Sequence, residues 1–390
     1  MIIERLSVRG FRRLESIDRL ELRPLTVVLG ANGSGKSSLL DAVRLIARSA
    51  AGATKDTLSE LGGLPSVLTR GRATSLQLGV STPARPDLHG PGREPLDYSL
   101  RIDMQGQGYV LSEEVLSQQL DPHEPGPFKY INVDAPRVRY SEPGTTGFVE
   151  PSWDHDTFET ALSQAPKMYR QCETFRQRLA SLATYSARDL QLGPRSTARA
   201  PQPMRPANLP GSAGEDLVSC LYYLRETNRD RFEMVEDALS AAFPSFERLD
   251  FPPVAAGTIS VTWKDRDFTQ PMFAHELSDG TLRFLWLVTL LSSPALTAIT
   301  LLDEPEVSLH PGMLRVLSDL LRESAARSQL IIATHSESFI RFLRPDEVLA
   351  LDIEDGHAVP RWGDTFDLEP WLEDYTLDQL WRMNRFGANP

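Results

Sequence analysis

The sequence predicts an α/β fold with a mixed sheet core, an antiparallel β-subdomain and a helical insertion. The core is predicted by three apolar runs, at 25–29, 298–302 and 330–332, which have the length of buried strands and alternate with amphipathic helical patterns. The subdomain is predicted by short strand-like segments between residues 74 and 115, which are interrupted by a Pro/Gly-rich loop at 83–95.

The chain divides into three stretches on this pattern. Residues 1–120 carry the first half of the core and residues 246–390 carry the second half. Residues 121–245 are expected to form an insertion that is mostly helical. The insertion has no sustained heptad pattern, so we expect no long coiled coil.

Within the insertion, helical periodicity is found at 157–182, 215–225 and 229–243. The stretch 193–211 is rich in proline and arginine, which predicts a loop or a partly disordered linker.

The composition indicates a globular protein without a membrane span. The 390 residues are 41% hydrophobic and 24% charged, and no run approaches the roughly 20 apolar residues of a membrane span, so we expect a cytoplasmic protein without a membrane partner. The two cysteines, Cys172 and Cys220, lie far apart and lack metal-ligand spacing. A net charge of −12 disfavours a protein that coats nucleic acid over its whole surface.

A glycine-rich loop follows the first apolar run. Residues 30–37 read GANGSGKS, which fits G-x-x-x-x-G-K-[ST] between a strand and a helix. In such a loop backbone N–H groups wrap phosphate, Lys36 offers its charge to the outer phosphates, and the Ser37 hydroxyl suits Mg²⁺. Because strand, loop, lysine, hydroxyl and helix all agree, a chance glycine-rich turn is the weaker interpretation.

Two carboxylates, Asp303 and Glu304, end the second apolar run. Open α/β sheets place their ligands at this edge, beyond the carboxyl ends of the strands. We expect Asp303 to hold Mg²⁺ through water and Glu304 to polarise the attacking water, since phosphoryl transfer requires a positioned nucleophile and charge neutralisation. The alternative is an acidic strand end that faces solvent.

Two further polar segments belong to the same half. In LSDGT, Ser278 and Gly280 begin an apolar helix, and such a turn can present a hydroxyl, N–H groups and the helix dipole to a γ-phosphate. A plain N-capping turn explains Ser278 equally well. In ATHS, after the third apolar run, His335 is predicted to hydrogen-bond the γ-phosphate, the alternative being a structural histidine.

Together GANGSGKSS, LSDGT, LLDEPEVSLHP and ATHS resemble the Walker A, signature, Walker B with D-loop, and switch-histidine motifs of ABC-type ATPases of the RecF/SMC-like class. The opening IERLSVRGFRRLES resembles the first strand and phenylalanine turn of that class. The tail at 371–387 resembles the end of bacterial predicted AAA-family ATPases. The resemblance implies a P-loop NTPase fold of the ABC-type ATPase head, like the ATPase domain of OLD proteins without a TOPRIM nuclease.

The resemblance also implies ATP and Mg²⁺ as ligands, and it assigns roles to residues. Catalysis is assigned to Lys36, Glu304 and His335, and metal binding to Ser37 and Asp303. The nucleotide-binding residues implied are Asn32, Gly33, Ser34, Gly35, Lys36, Ser37, Ser38, Ser278 and Gly280. Ser278 and Gly280 are expected to act in trans, in a homodimer that sandwiches ATP.

This sequence departs from the family pattern at three points. Asp279 stands where transporter ATPases usually carry glycine, and the D-loop reads Ser308-Leu309-His310-Pro311. The glutamine of the Q-loop is not assigned, because Gln77, Gln105 and Gln118 are all candidates.

Two hypotheses describe what the ATP is for. The first is a dimeric ATPase that clamps DNA in repair or anti-phage defence, with a nuclease or toxin effector as partner. It is supported by six arginines of the insertion, which form a basic series suited to tracking phosphates. These are Arg176, Arg178, Arg188, Arg195, Arg199 and Arg205. The second is a nucleotide-gated scaffold that restrains such an effector without binding DNA, and it is favoured by the acidic net charge and by the absence of a clear basic face in the sequence. A solvated, flexible loop is the alternative interpretation of the arginines.

Overall fold

The computed structural model describes residues 1–84, 93–106, 108–120, 126–141 and 147–387. The strands in these residues are β1 Arg5–Phe11, β2 Leu14–Glu21, β3 Leu25–Leu29, β4 Ser75–Ser81, β5 Leu96–Gln105, β6 Gly108–Gln118, β7 Phe128–Asp134, β8 Arg137–Tyr140, β9 Leu182–Ser186, β10 Gln202–Pro203, β11 Phe246–Asp250, β12 Pro253–Ala255, β13 Thr258–Ile259, β14 Thr262–Asp265, β15 Met272–Phe273, β16 Ile299–Asp303, β17 Gln329–Thr334, β18 Val348–Glu354 and β19 His357–Trp362. The α-helices are α1 Lys36–Ala50, α2 Thr54–Glu60, α3 Leu64–Val67, α4 Ala161–Gln164, α5 Arg170–Ala180, α6 Leu217–Thr227, α7 Arg229–Ala242, α8 Asp279–Ser292, α9 Pro311–Ala325, α10 Glu337–Ile340, α11 Glu369–Leu372 and α12 Leu377–Arg382.

The predicted core is a six-stranded sheet with the order β19-β18-β3-β17-β16-β9. Every neighbouring pair is parallel except β18 and β19. All five residues of β3 and all six of β17 are buried, as strands covered on both faces require. The three apolar runs of the sequence therefore lie in one sheet, and the predicted mixed sheet is confirmed.

The antiparallel subdomain is a seven-stranded sheet with the order β2-β1-β4-β5-β6-β7-β8. The strands predicted between residues 74 and 115 are β4, β5 and β6, which pair as successive antiparallel neighbours. The loop predicted at 83–95 lies largely outside the described residues, which resume at residue 93.

Helix α1 lies between the two sheets. Its apolar face shares one core with Val28 and Ile331 of the parallel sheet and with Leu6 of the antiparallel sheet. On the opposite face of the parallel sheet, Val27 and Ile332 share a second core with helices α6 to α9. The alternation of side chains along each strand assigns neighbouring residues to different cores.

The stretch 121–245 differs from the mostly helical insertion that the sequence predicts. Strands β7 and β8 complete the antiparallel sheet, and β9 forms the edge of the parallel sheet beside β16. The helical pattern at 157–182 corresponds to the short helices α4 and α5, and the patterns at 215–225 and 229–243 correspond to α6 and α7. Pairing to existing sheet edges satisfies backbone groups that a separate helical insertion would satisfy internally.

The stretch 193–211 is not the loose linker that its proline content predicts. Ala198 is fully buried, and the buried Gln202 side chain accepts a hydrogen bond from the backbone N–H of Val218 at 2.8 Å and donates one to Gly214. Strand β10 pairs with β13. Hydrogen bonds between side chains and the backbone thus replace the strand-to-strand backbone hydrogen bonds that the prolines of residues 193–211 cannot make. Among the described residues, no helix has the length and apolar character needed to cross a membrane.

A buried glutamine joins the two sheets. The Gln329 side chain, at the start of β17, accepts hydrogen bonds from the N–H groups of Ile2 and Ile3 at 3.0 and 2.9 Å, and it donates to the Ile3 carbonyl at 2.6 Å. These contacts attach the chain just before β1 to the parallel sheet.

Replacement of Gln329 by alanine leaves these buried backbone groups without partners. We expect Gln329→Ala to lower the free energy of unfolding by about 2–4 kcal/mol, measured by urea denaturation. The exposed Gln270 provides the control, and Gln270→Ala should change the free energy of unfolding by less than about 0.5 kcal/mol. Equal effects of the two substitutions would contradict a structural role for Gln329.

Candidate nucleotide-binding site

The glycine-rich loop connects β3 to α1, as the motif requires. Gly33 and Gly35 have φ angles of 78° and 112°, which side chains rarely adopt. A Cβ atom on Gly30 would lie 2.8 Å from the Leu351 carbonyl oxygen, so this position has no room for a side chain. The loop is therefore closely folded, with its backbone available to a ligand.

Lys36 begins α1 and is 8% exposed. Its ammonium donates to the carbonyl oxygens of Gly30 and Ala31 at 2.6 and 3.0 Å. Burial lowers the pKa of Lys36, an effect that the carboxylates of Glu304 and Asp303 oppose. The lysine and the two predicted carboxylates thus interact within one site.

Asp303 is the last residue of β16, and Glu304 follows it. Burial raises the pKa of Asp303, the Glu304 carboxylate raises it further, and Arg188 lowers it. Glu304 has a φ of 53°, the left-handed region that costs a non-glycine residue roughly 1–2 kcal/mol. Its N–H donates to the Ala333 carbonyl of β17 at 2.8 Å, which holds this unfavourable backbone conformation in place.

His335 follows β17 and contacts the neighbouring acidic residue. Its Nδ1 lies 2.9 Å from Oε1 of Glu304. The His335 side chain is 49% exposed and that of Glu304 is 23% exposed, so both reach solvent. The two residues to which the sequence assigns water activation and γ-phosphate sensing therefore touch.

A cleft of about 750 Å³ opens at the carboxyl edge of the parallel sheet. The residues of the sequence-predicted site that line it are Asn32, Gly33, Gly35, Lys36, Ser37, Ser38, Asp303 and Glu304. The side chain of Ser34 is buried beneath the loop, and His335 adjoins the cleft through Glu304. Six cations also line the cleft: Arg12, Arg13, Lys36, Arg70, Arg72 and Arg188. This charge suits a polyanion such as a triphosphate.

The signature turn lies outside this cleft. Ser278 caps α8, because its hydroxyl accepts from the Thr281 N–H at 3.1 Å, and it is exposed. A Cβ on Gly280 would approach the Ser308 carbonyl of the D-loop to 2.6 Å, so this glycine allows the two loops to pack closely. Within one chain Ser278 and Gly280 do not line the cleft that holds Lys36.

The family described as "AAA domain, putative AbiEii toxin, Type IV TA system" matches residues 25–341. The chain belongs to this family. An OLD nuclease of Thermus scotoductus (strain ATCC 700910 / SA-01) is 49% identical over 45 residues, which are 12% of this chain and 8% of that protein. The chain thus aligns with only a small part of that curated relative.

Two solved structures share the fold of this AAA-domain chain. The Smc head bound to the C-winged helix domain of ScpA aligns with 14% identity and a TM-score of 0.58, over 94% of this chain and 99% of that one. An Smc head with an extended coiled coil, bound to the C-terminal domain of ScpA from Pyrococcus furiosus, aligns with 13% identity and a TM-score of 0.54, over 96% and 99% of the two chains. The AAA-domain chain therefore has the SMC-like, ABC-type ATPase head fold that the motifs predict.

The cleft of this AAA-domain chain fits ATP and Mg²⁺. The Ser34 hydroxyl is buried and has no hydrogen-bond partner among the described residues, whereas Asn32, Gly33 and Gly35 of the same loop line the cleft. The Ser37 hydroxyl and the Asp303 carboxylate, both at the cleft, are the hard oxygen donors that Mg²⁺ prefers.

The sequence analysis does not predict the positions of two residues, Arg188 and Glu306, at this edge of the sheet. Arg188, which the sequence predicts to belong to a basic series for DNA, follows β9 and lines the nucleotide cleft beside Asp303. Recognition of β9 as a strand beside β16 is the signal that would have placed Arg188 at this edge.

The Q-loop candidates Gln77, Gln105 and Gln118 belong to the antiparallel sheet and do not line the cleft.

Glu306 is the second missed residue. It is 6% exposed and accepts a hydrogen bond from the Thr334 hydroxyl, while its other oxygen, Oε2, has no partner among the described residues. Burial raises the pKa of Glu306 to about 7, against the lowering effect of the Thr334 hydrogen bond. Glu306 thus joins the segment between Glu304 and the D-loop to the end of β17, the strand that precedes His335.

The raised pKa of Glu306 makes stability depend on pH. The native state holds this proton up to about pH 7, whereas the unfolded chain releases it near 4.5, so stability falls as pH rises through that window. Relative to Glu306→Gln, the parent protein should lose about 3 kcal/mol of unfolding free energy between pH 5 and 8. Urea denaturation without nucleotide measures this difference, and the exposed Glu373→Gln is the control. Parallel pH profiles of the parent and Glu306→Gln would exclude the buried proton.

Proposed function

We propose that this chain hydrolyses ATP between two copies of itself. One observation carries the proposal: Lys36, Asp303 and Glu304 line one cleft that His335 adjoins through Glu304, whereas Ser278 is exposed outside it. A site that needs the signature serine must therefore obtain it from a second protomer. ATP would then join the two copies, and its hydrolysis would release them.

Each polar group of the cleft has a defined part in the proposed reaction. Lys36 and the cleft arginines neutralise the phosphate oxygens, on which charge resides in the transition state. Ser37 and Asp303 would hold Mg²⁺, which supplies charge neutralisation at the β- and γ-phosphates when bound. Glu304 orients the attacking water and accepts its proton, and the 2.9 Å contact with His335 fixes the direction of its carboxylate.

The arrangement of arginines favours the nucleotide-gated scaffold over the DNA clamp. Arg188 belongs to the nucleotide cleft, and Arg199 is buried against the signature turn. Arg176 donates to the carbonyls of Ser163 and Ala165, and Arg205 is paired with Asp216 at 2.7 Å. Four of the six arginines are therefore engaged at the nucleotide cleft, at the signature turn or in contacts within the described part of the insertion. We propose that the ATP cycle changes the grip of the dimer on an effector protein, a nuclease or toxin, as in a defence system against phage.

Substitutions of Glu304 and Lys36 should separate nucleotide binding from hydrolysis. Glu304→Gln should retain ATP, accumulate a closed dimer and lower turnover by about 10²–10⁴-fold, because the group that accepts the proton is lost. Lys36→Ala should lose nucleotide binding, because the charge facing the phosphates is removed. Phosphate release and sedimentation with ATP measure the two effects.

The exposed Lys55 provides a matched control for the lysine substitution, and Lys55→Ala should leave ATP binding unchanged. Turnover of Glu304→Gln at the parental rate would show that another group positions the water.

The scaffold proposal is tested by gel-shift titration with duplex and single-stranded DNA at several salt concentrations. With a non-hydrolysed ATP analogue, the protein should bind no more DNA than it does without nucleotide. An ATP-dependent shift that weakens steeply with salt would instead support the DNA clamp.

A further inference from the structure

One buried arginine holds the turn that carries the signature serine. Arg199 is 9% exposed as a side chain, and it donates through Nη1 to the carbonyls of Ala274, His275 and Leu277 at 3.2, 3.2 and 2.7 Å. Its Nη2 is hydrogen-bonded to the Asp279 carboxylate. The guanidinium thus contacts the chain on both sides of Ser278.

A further hydrogen bond fixes the position of the Arg199 guanidinium. Its Nε donates to the Leu192 carbonyl at 2.8 Å. A planar, always charged group with donors in a rigid fork sets the relative positions of its acceptors more strictly than a lysine would. Because a buried cation requires such partners, the turn cannot move away from Arg199 without a large loss of solvation energy.

The contact with Arg199 explains the presence of Asp279 in the signature turn. It stands beside Ser278, and its carboxylate is 64% exposed, so it contributes little to folding on its own. Its described ion pair is with Arg199. A glycine at this position would leave Nη2 without that acceptor.

The segment that holds Arg199 also reaches the nucleotide cleft of the same chain. Arg283, in the signature helix α8, donates to the carbonyls of Ala187 and Leu190 at 3.2 and 3.1 Å. Arg188, between these two acceptors, lines the cleft. The residues 187–199 therefore connect one protomer's phosphate cleft to its own signature turn.

We propose that Arg199 is a positioning residue for the signature turn, with Asp279 as its partner, and that it sets Ser278 for the nucleotide bound by the second protomer. The inference rests on the proposed two-protomer site. Arg199 touches no part of the cleft in its own chain, so its effect on hydrolysis is expressed in the partner's cleft.

Substitution of Arg199 should separate nucleotide binding from turnover. In Arg199→Ala, binding of a fluorescent ATP analogue to the isolated protomer should stay within about twofold of the parent, while kcat falls about tenfold or more. Arg199→Lys should not restore kcat, because the fork is lost. The exposed Asp279→Ala should lower kcat about two- to fivefold. Arg205→Ala, which removes an exposed arginine six residues further along the chain, should match the parent.

Complementation tests action in trans. Alone, Lys36→Ala should be inactive and Arg199→Ala should keep about a tenth of the parental turnover or less. Their mixture should form dimers in which an intact cleft faces an intact signature turn. The mixture should therefore recover a large part of one site's turnover. The reference mixture is Lys36→Ala with Ser278→Ala, which reports the two-protomer site independently of Arg199.

Recovery in both mixtures supports the inference. Recovery with Ser278→Ala but not with Arg199→Ala would overturn it and leave the two-protomer site standing. Failure of both mixtures would overturn the two-protomer site itself and the inference with it. Loss of ATP binding by Arg199→Ala and Asp279→Ala together would also overturn it, since a positioning role in trans leaves the cleft of the same chain intact.

Discussion

The parallel pairing of β3, β17, β16 and β9 is the constraint on which the whole site depends. Leu29 lies opposite Thr334, and Asp303 lies opposite both Ala333 and Ser186. Because neighbouring strands are only about 4.8 Å apart, the loops that leave these strand ends are brought side by side. The phosphate loop, the histidine, the acidic pair and Arg188 come from distant parts of the sequence, and this register is what unites them.

The protein maintains unfavourable local features at this edge. Glu304 has a left-handed backbone, Glu306 is a buried carboxyl with one unpaired oxygen among the described residues, and Lys36 is a buried ammonium. The buried sheet and α1, packed on both sides, supply the rigidity that such features require. Their concentration at one edge is typical of a site selected for chemistry rather than for stability.

The structural features that depend on local sequence pattern could be predicted from the sequence. The apolar runs, the phosphate loop and the carboxylates at a strand end are all encoded within short segments, and the structure has the strands where those segments predict them. Long-range pairing was not predictable in this way. Strand β9 is a short segment of ordinary propensity that becomes a strand because β16 offers an edge, so Arg188 was misplaced. Arg199 lies in a proline-rich stretch typical of linkers, and only its distant carbonyl partners reveal that it is buried.

The central claim, that the cleft of one protomer meets the signature turn of another, is open to a direct distance measurement. Cys172 and Cys220 are buried, so reporter cysteines can be placed at Ser66, which lines the cleft but has no assigned part in nucleotide binding, and at His275, both of which are exposed. The two cysteines are carried on separate protomers with Glu304→Gln, and these protomers keep every other residue assigned to nucleotide binding. A bifunctional thiol reagent should then join the two protomers with ATP and not with ADP. Cross-linking that is absent with ATP, or equal with both nucleotides, would contradict the account.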